Sequence, residues 1–200
     1  MVQPKAPSNP GRRKFLINVT SVVGAGAVAG ALVPFVGSWN PSARAEAAGA
    51  PVKADLSKLL PGEMMIVEWR GVPVYVVKHT QESMAVLNKN LSRLSDPNSV
   101  EDQQPDYARN ELRSRKKGIS IITAVCTHLA CAPKFYPQLG TTDFDSDWQG
   151  GFFCPCHGSK FDLAGRVFKG SPAPTNLVVP PHKYLNENTI IIGEDTKDKA

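Results

Sequence analysis

All four cysteines of this 200-residue chain fall in two short boxes, Cys126-Thr-His128-Leu-Ala-Cys131 and Cys154-Pro-Cys156-His157-Gly-Ser159. Each box holds one cysteine–histidine set and one additional cysteine. Thiolate sulfur and neutral imidazole are the donors that zinc and iron–sulfur centres take. Four nearby thiolates could hold either centre, and two cysteines with two histidines could hold zinc. The spacing speaks against a zinc finger, which separates its cysteine pair by about two to four residues and its histidine pair by about three to five. Here cysteine and histidine alternate instead. Cysteines left over from ligation in an exported domain would be free to oxidise. Cys154, Cys156 and His157 are also too close along the chain to reach one atom easily, so they must have different tasks.

The elements that position these boxes read as largely β. Met64–Trp69 and Val72–Lys78 flank Arg70-Gly71, a hairpin with apolar, β-branched strands. Thr80 can cap a short helix to about Asn90, with Met84, Leu87 and Leu91 on one face. Residues 92–118 are polar and contain two prolines, with a second short helix expected near Tyr107–Arg113. Ile119–Val125 is a continuous apolar run that reads as a buried strand leading into the first box, and Gly150–Phe153 leads into the second. Tyr184–Ile192 reads as a closing hairpin. Short strands separated by turn signals imply a mainly β head, an antiparallel sandwich or barrel with a short helical insertion.

The charge and the apolar residues near the N-terminus set the rest of the organisation. Of 23 basic residues, Lys5, Arg12, Arg13 and Lys14 precede any acid, leaving 19 against 18 acidic residues in the remainder. The head is therefore nearly neutral, which argues against a nucleic-acid partner, and Arg113-Ser-Arg-Lys-Lys117 reads as a solvated face. Phe15–Trp39 carries no charge over 25 residues, enough for a transmembrane helix. Pro34 should kink its far end, and Trp39 suits the membrane–water interface. Basic residues before the span place the N-terminus in the cytoplasm and the head outside. Arg12-Arg13 resembles a twin-arginine export signal, a route that moves folded proteins. Ala43-Arg-Ala45 offers the alternative of a cleavage site, although the span is longer than a usual signal core. The division is a cytoplasmic segment 1–14, an anchor 15–39, a flexible hinge 40–54 rich in alanine, and a head 55–200 containing boxes 126–131 and 154–159.

The two boxes resemble the Rieske iron–sulfur family, whose signature is C-T-H-L-x-C followed downstream by C-P-C-H-G-S. Asp162-Leu-Ala-Gly-Arg-Val167, the Pro172-Ala-Pro174 loop, the twin-arginine anchor and the linker extend the likeness over most of the chain. It is nearest to the Rieske subunits of bacterial ubiquinol–cytochrome c reductase, the cytochrome bc1 complex. The resemblance implies one [2Fe–2S] cluster per chain, with Cys126 and Cys154 on the inner iron and His128 and His157 on the outer. It also implies that Cys131 and Cys156 form a disulfide that staples the two loops. Replacing two thiolates with neutral imidazoles removes two negative charges from the cluster, so an electron is added more easily and the potential rises by hundreds of millivolts. An outer-iron imidazole near the tip could then take a proton together with the electron.

Further residues carry expectations from the same resemblance. The Ser159 hydroxyl should donate to a bridging sulfide, and Gly158 should serve a tight turn beside the cluster. The family's aromatic hydroxyl two positions beyond the serine is missing here, because the residue is Phe161. That predicts a lower potential than a tyrosine would give. Ala130 stands where glycine is common. Leu129 reads as an exposed apolar tip for docking, and the Pro172–Pro174 loop as a cover over the cluster.

The implied function is electron transfer at the outer face of a bacterial inner membrane, with a single-pass anchor and a periplasmic head. The head would accept an electron and a proton from ubiquinol or a related quinol, using His157 or His128, while docked on a cytochrome b subunit. It would then pass the electron to cytochrome c1 within a dimeric multisubunit complex embedded in lipid. Alternatives are a small Rieske subunit of a periplasmic oxidoreductase such as arsenite oxidase, a ferredoxin-like carrier for an oxygenase, and a structural zinc domain.

Overall fold

The computed structural model describes residues 9–89 and 91–195. They divide into two compact units, the first ending at Ala47.

The first unit is dominated by α1, Pro10–Gly37. Asn9 caps it by accepting a hydrogen bond from the Arg12 N–H at 3.0 Å, and Pro10 fills the first turn, where an N–H has no helical partner. The helix has 28 residues, and at ~1.5 Å per residue it is longer than the ~30 Å hydrocarbon core of a bilayer. It is long and apolar enough to cross a membrane, and none of its side chains is buried within the protein. It begins ahead of the charge-free stretch, taking Arg12, Arg13 and Lys14 into its opening turns, and stops at Gly37, before Trp39. Residues 1–8, including Lys5, lie outside the described residues.

Two short elements begin within the segment 40–54. Ala43–Gly49 forms a short helix, α2, as its alanines favour. Val52–Asp55 is already a strand, β1, paired with the last strand of the head.

The head contains, besides β1, the strands β2 (Met64–Trp69), β3 (Val72–Lys78), β4 (Ile119–Thr123), β5 (Lys134–Thr142), β6 (Asp145–Phe153), β7 (Lys160–Asp162), β8 (His182–Asn186) and β9 (Thr189–Ile192). Among the described residues these form three antiparallel sheets, in the orders β1–β9–β8, β2–β3–β4 and β5–β6–β7. The fold is thus mainly β. The β2–β3 hairpin turns on Arg70 and Gly71, both at positive φ (54° and 71°), the geometry of a tight two-residue loop.

The middle sheet organises the core. On β3, Tyr75 and Val77 point into one buried cluster and Val74 and Val76 into another, as the two-residue period of a strand requires. All five residues of β4 are buried, which explains why its sequence reads as continuous rather than alternating. The first cluster also contains Ile122, Phe152, Phe161, Val167, Leu177, Cys126 and Cys154, so the inner cysteines of both boxes are part of the core.

Several local expectations are corrected. The capped helix α3 spans Gln81–Leu87, with Ser83 N–H bonded to the Thr80 hydroxyl; Asn90 lies outside the described residues. Leu91 is exposed, and Leu94, after a turn of 3₁₀ helix, is the buried leucine. No regular helix occupies Tyr107–Arg113 among the described residues: a 3₁₀ turn at Asp106–Ala108 follows Pro105, and Arg113 adopts a positive φ of 48° that ends any helical run. Nor is 113–117 simply a solvated face. Arg113 is fully buried, donating to Gln104 Oε1 and to the carbonyls of Ala164 and Gly165. Arg115 stacks 3.6 Å above the Tyr107 ring and pairs with Asp195 at 2.5 Å. Their charges are absorbed by neutral carbonyls, an aromatic face and an acid far along the chain, none of which a local charge pattern reveals.

Candidate metal centre

The first box follows β4, and the second joins β6 to β7. Their backbones repeat one design. Cys126 N–H donates to the Cys131 carbonyl at 2.8 Å and Ala130 N–H to the Cys126 carbonyl at 2.9 Å; Cys154 N–H donates to the Ser159 carbonyl at 2.8 Å and Gly158 N–H to the Cys154 carbonyl at 2.9 Å. Each box is therefore a closed loop whose first cysteine faces the core and whose histidine lies towards the tip.

Cys131 and Cys156 are joined by a disulfide that links the two loops directly. Cys126 and Cys154 are free and buried. The sulfurs of Cys131, Cys154 and Cys156 lie within 4.8 Å of one another, but two of them are already bonded to each other and cannot act as thiolates. The donors left are the two buried thiols and the rings of His128 and His157, whose centroids are 4.8 Å apart and nearly perpendicular. His157 is exposed and His128 half-buried, so sulfur lies beneath and imidazole above.

Two buried groups in this arrangement keep hydrogen-bonding capacity unused among the described residues. His128 Nδ1 is buried with no hydrogen bond. The buried Ser159 hydroxyl accepts from Ala173 N–H at 3.0 Å, which leaves its own hydrogen to donate. Burial raises the Cys154 thiol above its ordinary range; the backbone N–H groups of Cys156 and His157 pull it down, and the adjacent Cys126 thiol pushes it up again. Two buried thiols side by side resist ionising unless positive charge is supplied, and ferric iron supplies it. The unfilled nitrogen, the unspent hydroxyl hydrogen and the N–H groups aimed at sulfur all fit a binuclear iron–sulfur cluster.

The remaining residues frame the tip. Leu129 is 66% exposed beside His128. Gly158 has a φ of 79°, and Ala130 holds the matching position at 63°. Phe161 is fully buried in the same apolar cluster as Cys126 and Cys154. The Pro172–Pro174 loop is pinned on both sides of the centre. Ser171 Oγ accepts from Lys160 N–H at 3.1 Å, and Thr127 Oγ1 donates to the Thr175 carbonyl at 2.7 Å. The pinning role of Thr127 escaped sequence reading, although its place between two predicted ligands was a signal.

A fold of small antiparallel sheets bearing two such loops defines a Rieske [2Fe–2S] domain, and the model of that family matches residues 97–182. A second model, described as the ubiquinol–cytochrome c reductase Fe–S subunit TAT signal, matches residues 3–42. The chain is 58% identical over 187 residues to the ubiquinol–cytochrome c reductase iron–sulfur subunit of Allochromatium vinosum, covering 94% of this chain and 90% of that one. It is 42% identical to the subunit of the same name from Rhodospirillum rubrum, covering 93% and 96%, and 41% identical to that of Blastochloris viridis, covering 91% and 92%. The chain belongs to the family of Rieske iron–sulfur subunits of ubiquinol–cytochrome c reductase. Its cofactor is a [2Fe–2S] cluster.

Proposed function

We propose that this chain accepts an electron and a coupled proton from ubiquinol and passes the electron to cytochrome c1, as the Rieske subunit of a cytochrome bc1 complex that contributes to proton translocation. The observation that carries this reading is the division of donors. Two free thiols are buried, two imidazoles lie together above them, one exposed and one half-buried, and the other two sulfurs are withdrawn into a disulfide. In this reading Cys126 and Cys154 hold the inner iron, and His128 and His157 hold the outer. When bound, the cluster supplies a one-electron centre whose neutral imidazole ligands keep its potential high.

The chain's own residues do the rest. His157, the exposed ring, offers the nitrogen not bound to iron to a quinol hydroxyl and holds the transferred proton there; His128 lies edge-on beside it. Leu129 gives the tip an apolar contact for the cytochrome b subunit. Ser159, whose oxygen accepts from Ala173 N–H, keeps its hydroxyl hydrogen to donate to the cluster. The helix α1 anchors the chain in the bacterial inner membrane, with the basic N-terminus cytoplasmic and the head periplasmic. The segment between α1 and β1 lets the head move between its two partners in a dimeric complex. The match over residues 3–42 supports this reading over a periplasmic oxidoreductase such as arsenite oxidase.

The test is pulsed EPR on the reduced full-length chain labelled with 15N-histidine, together with Mössbauer spectroscopy. Two histidine nitrogens coupled to a centre with two inequivalent irons are expected. A single metal atom, or iron held by four sulfurs, overturns the reading.

A further inference from the structure

The free sulfur of Cys154 lies within 4.8 Å of both sulfurs of the Cys131–Cys156 disulfide, a grouping that Cys126 does not join. Three sulfurs in this relation form a thiol–disulfide exchange centre, because exchange proceeds when a thiol within reach of a disulfide gives up its proton and attacks as the thiolate, with no external oxidant. We propose that iron ligation by Cys154 protects the disulfide, and that without the cluster Cys154 exchanges into it and closes the site. The inference rests on the reading that Cys154 is a ligand.

The step conserves atoms and electrons. Cys154 sulfur attacks Cys131 sulfur, the 154–131 bond forms, the 131–156 bond breaks, and the proton leaving Cys154 ends on Cys156. Two features set this direction. Attack on Cys156 would instead close a small ring around Pro155, whose φ is fixed. Attack on Cys131 exchanges a buried thiol for an exposed one, since Cys154 is 1% exposed and Cys156 lies on the surface. A buried S–H has lost its water, and the released Cys156 thiol regains it. The product has one iron ligand consumed and a reactive thiol at its tip. Such a head cannot take up a cluster until a dithiol reductant restores it. In an oxidising compartment outside the cytoplasm, where disulfides persist, this makes cluster insertion before export a requirement. The match of residues 3–42 to a TAT signal agrees with that order.

The experiment uses the full-length chain in detergent, anaerobically, with iodoacetamide labelling and non-reducing peptide mapping before and after the cluster is removed with an iron chelator. Before removal, Cys131–Cys156 should be intact and no cysteine labelled in the native protein. After removal, that cross-link should be mostly lost, Cys131–Cys154 should replace it, and Cys156 and Cys126 should be labelled. Cys131–Cys156 persisting with Cys126 and Cys154 labelled overturns the exchange while leaving the ligand reading intact. A random mixture including Cys126 pairings also overturns it, as the product of unfolding. Native labelling of Cys154 before removal overturns the ligand reading itself. In Cys154→Ser the disulfide should remain Cys131–Cys156; loss of that pairing in the variant overturns the proposal as well.

Discussion

Ala130 and Gly158 stand in equivalent places, each donating its N–H to the carbonyl of the cysteine four residues earlier, and both have left-handed backbone (φ 63° and 79°). One loop meets the geometric demand with glycine, and the other accepts strain on an alanine. A left-handed L-residue costs roughly 1–2 kcal/mol, and relief by glycine is partly offset by the freer unfolded chain. Ala130→Gly should therefore stabilise the head by up to ~1 kcal/mol, and Gly158→Ala should destabilise it by about as much. No atom lies within 4 Å of a Cβ built at Gly158, so the second change should cost conformational energy alone. Thermal unfolding of both variants, loaded with cluster, checks the opposite signs.

Beneath the second loop, Arg166 and Asp162 form a fully buried pair at 2.7 Å. Asp162 also accepts the N–H groups of Ala164 and Arg166, while Arg166 reaches the carbonyls of Leu87 and Pro97. Removing one partner leaves the other charge buried without compensation, at a cost of roughly 3–5 kcal/mol. Arg166→Leu should therefore destabilise the head by that amount in urea unfolding. A loss below about 1 kcal/mol would mean that the backbone donors alone satisfy Asp162.

How much of this was legible in the sequence differed by region, for physical reasons. The β2–β3 hairpin could be read to the residue because β-branched strands flank a two-residue turn. The β5–β6 hairpin was largely missed. Pro137 and Gly140 interrupt β5, which tolerates them as an edge strand with mostly exposed residues, and Gly150 and Gly151 interrupt β6. Gly151 is needed because a Cβ there would lie 2.0 Å from the Phe161 carbonyl oxygen, a close approach invisible in one sequence. The boxes themselves were legible because metal ligands must have particular side chains. The buried Arg113 was not, since two of its acceptors are carbonyls some 50 residues away and the third is the side chain of Gln104.

Acid should weaken the head through His79 and His182, neither of which belongs to the centre. Burial depresses each imidazole to about 4; for His182 the Pro180 carbonyl opposes this, while the nearby Arg115 adds to it and Asp195 counters it. His79 keeps one hydrogen bond, between Nε2 and Ser120 Oγ at 2.7 Å. Both folded values lie below the ordinary value near 6.5, so between these limits the unfolded chain binds more protons than the folded one. Stability is therefore full above about pH 6.5, falls as pH drops, and levels off below about 4, with each histidine contributing on the order of a few kcal/mol. Urea midpoints between pH 4 and 7 should fall accordingly, and His182→Asn should reduce the slope by about half. An unchanged slope would show that His182 takes up its proton equally in the folded and unfolded chain.

Phe161 makes the sharpest prediction about the redox chemistry. Its ring is fully buried in the apolar core that also contains Cys126 and Cys154, so a hydroxyl added at its tip would be shut off from water and would need a partner inside that core. A hydrogen bond to an anionic centre is stronger when an electron has been added, and a difference of about 1.5 kcal/mol raises a one-electron potential by roughly 60 mV. Phe161→Tyr should move the midpoint potential upward by that order, with little effect on the EPR line shape because the iron ligands are unchanged. Protein-film voltammetry of the full chain measures the shift. A tyrosine variant with the wild-type potential, while still fully loaded with cluster, would show that the position does not reach the sulfurs.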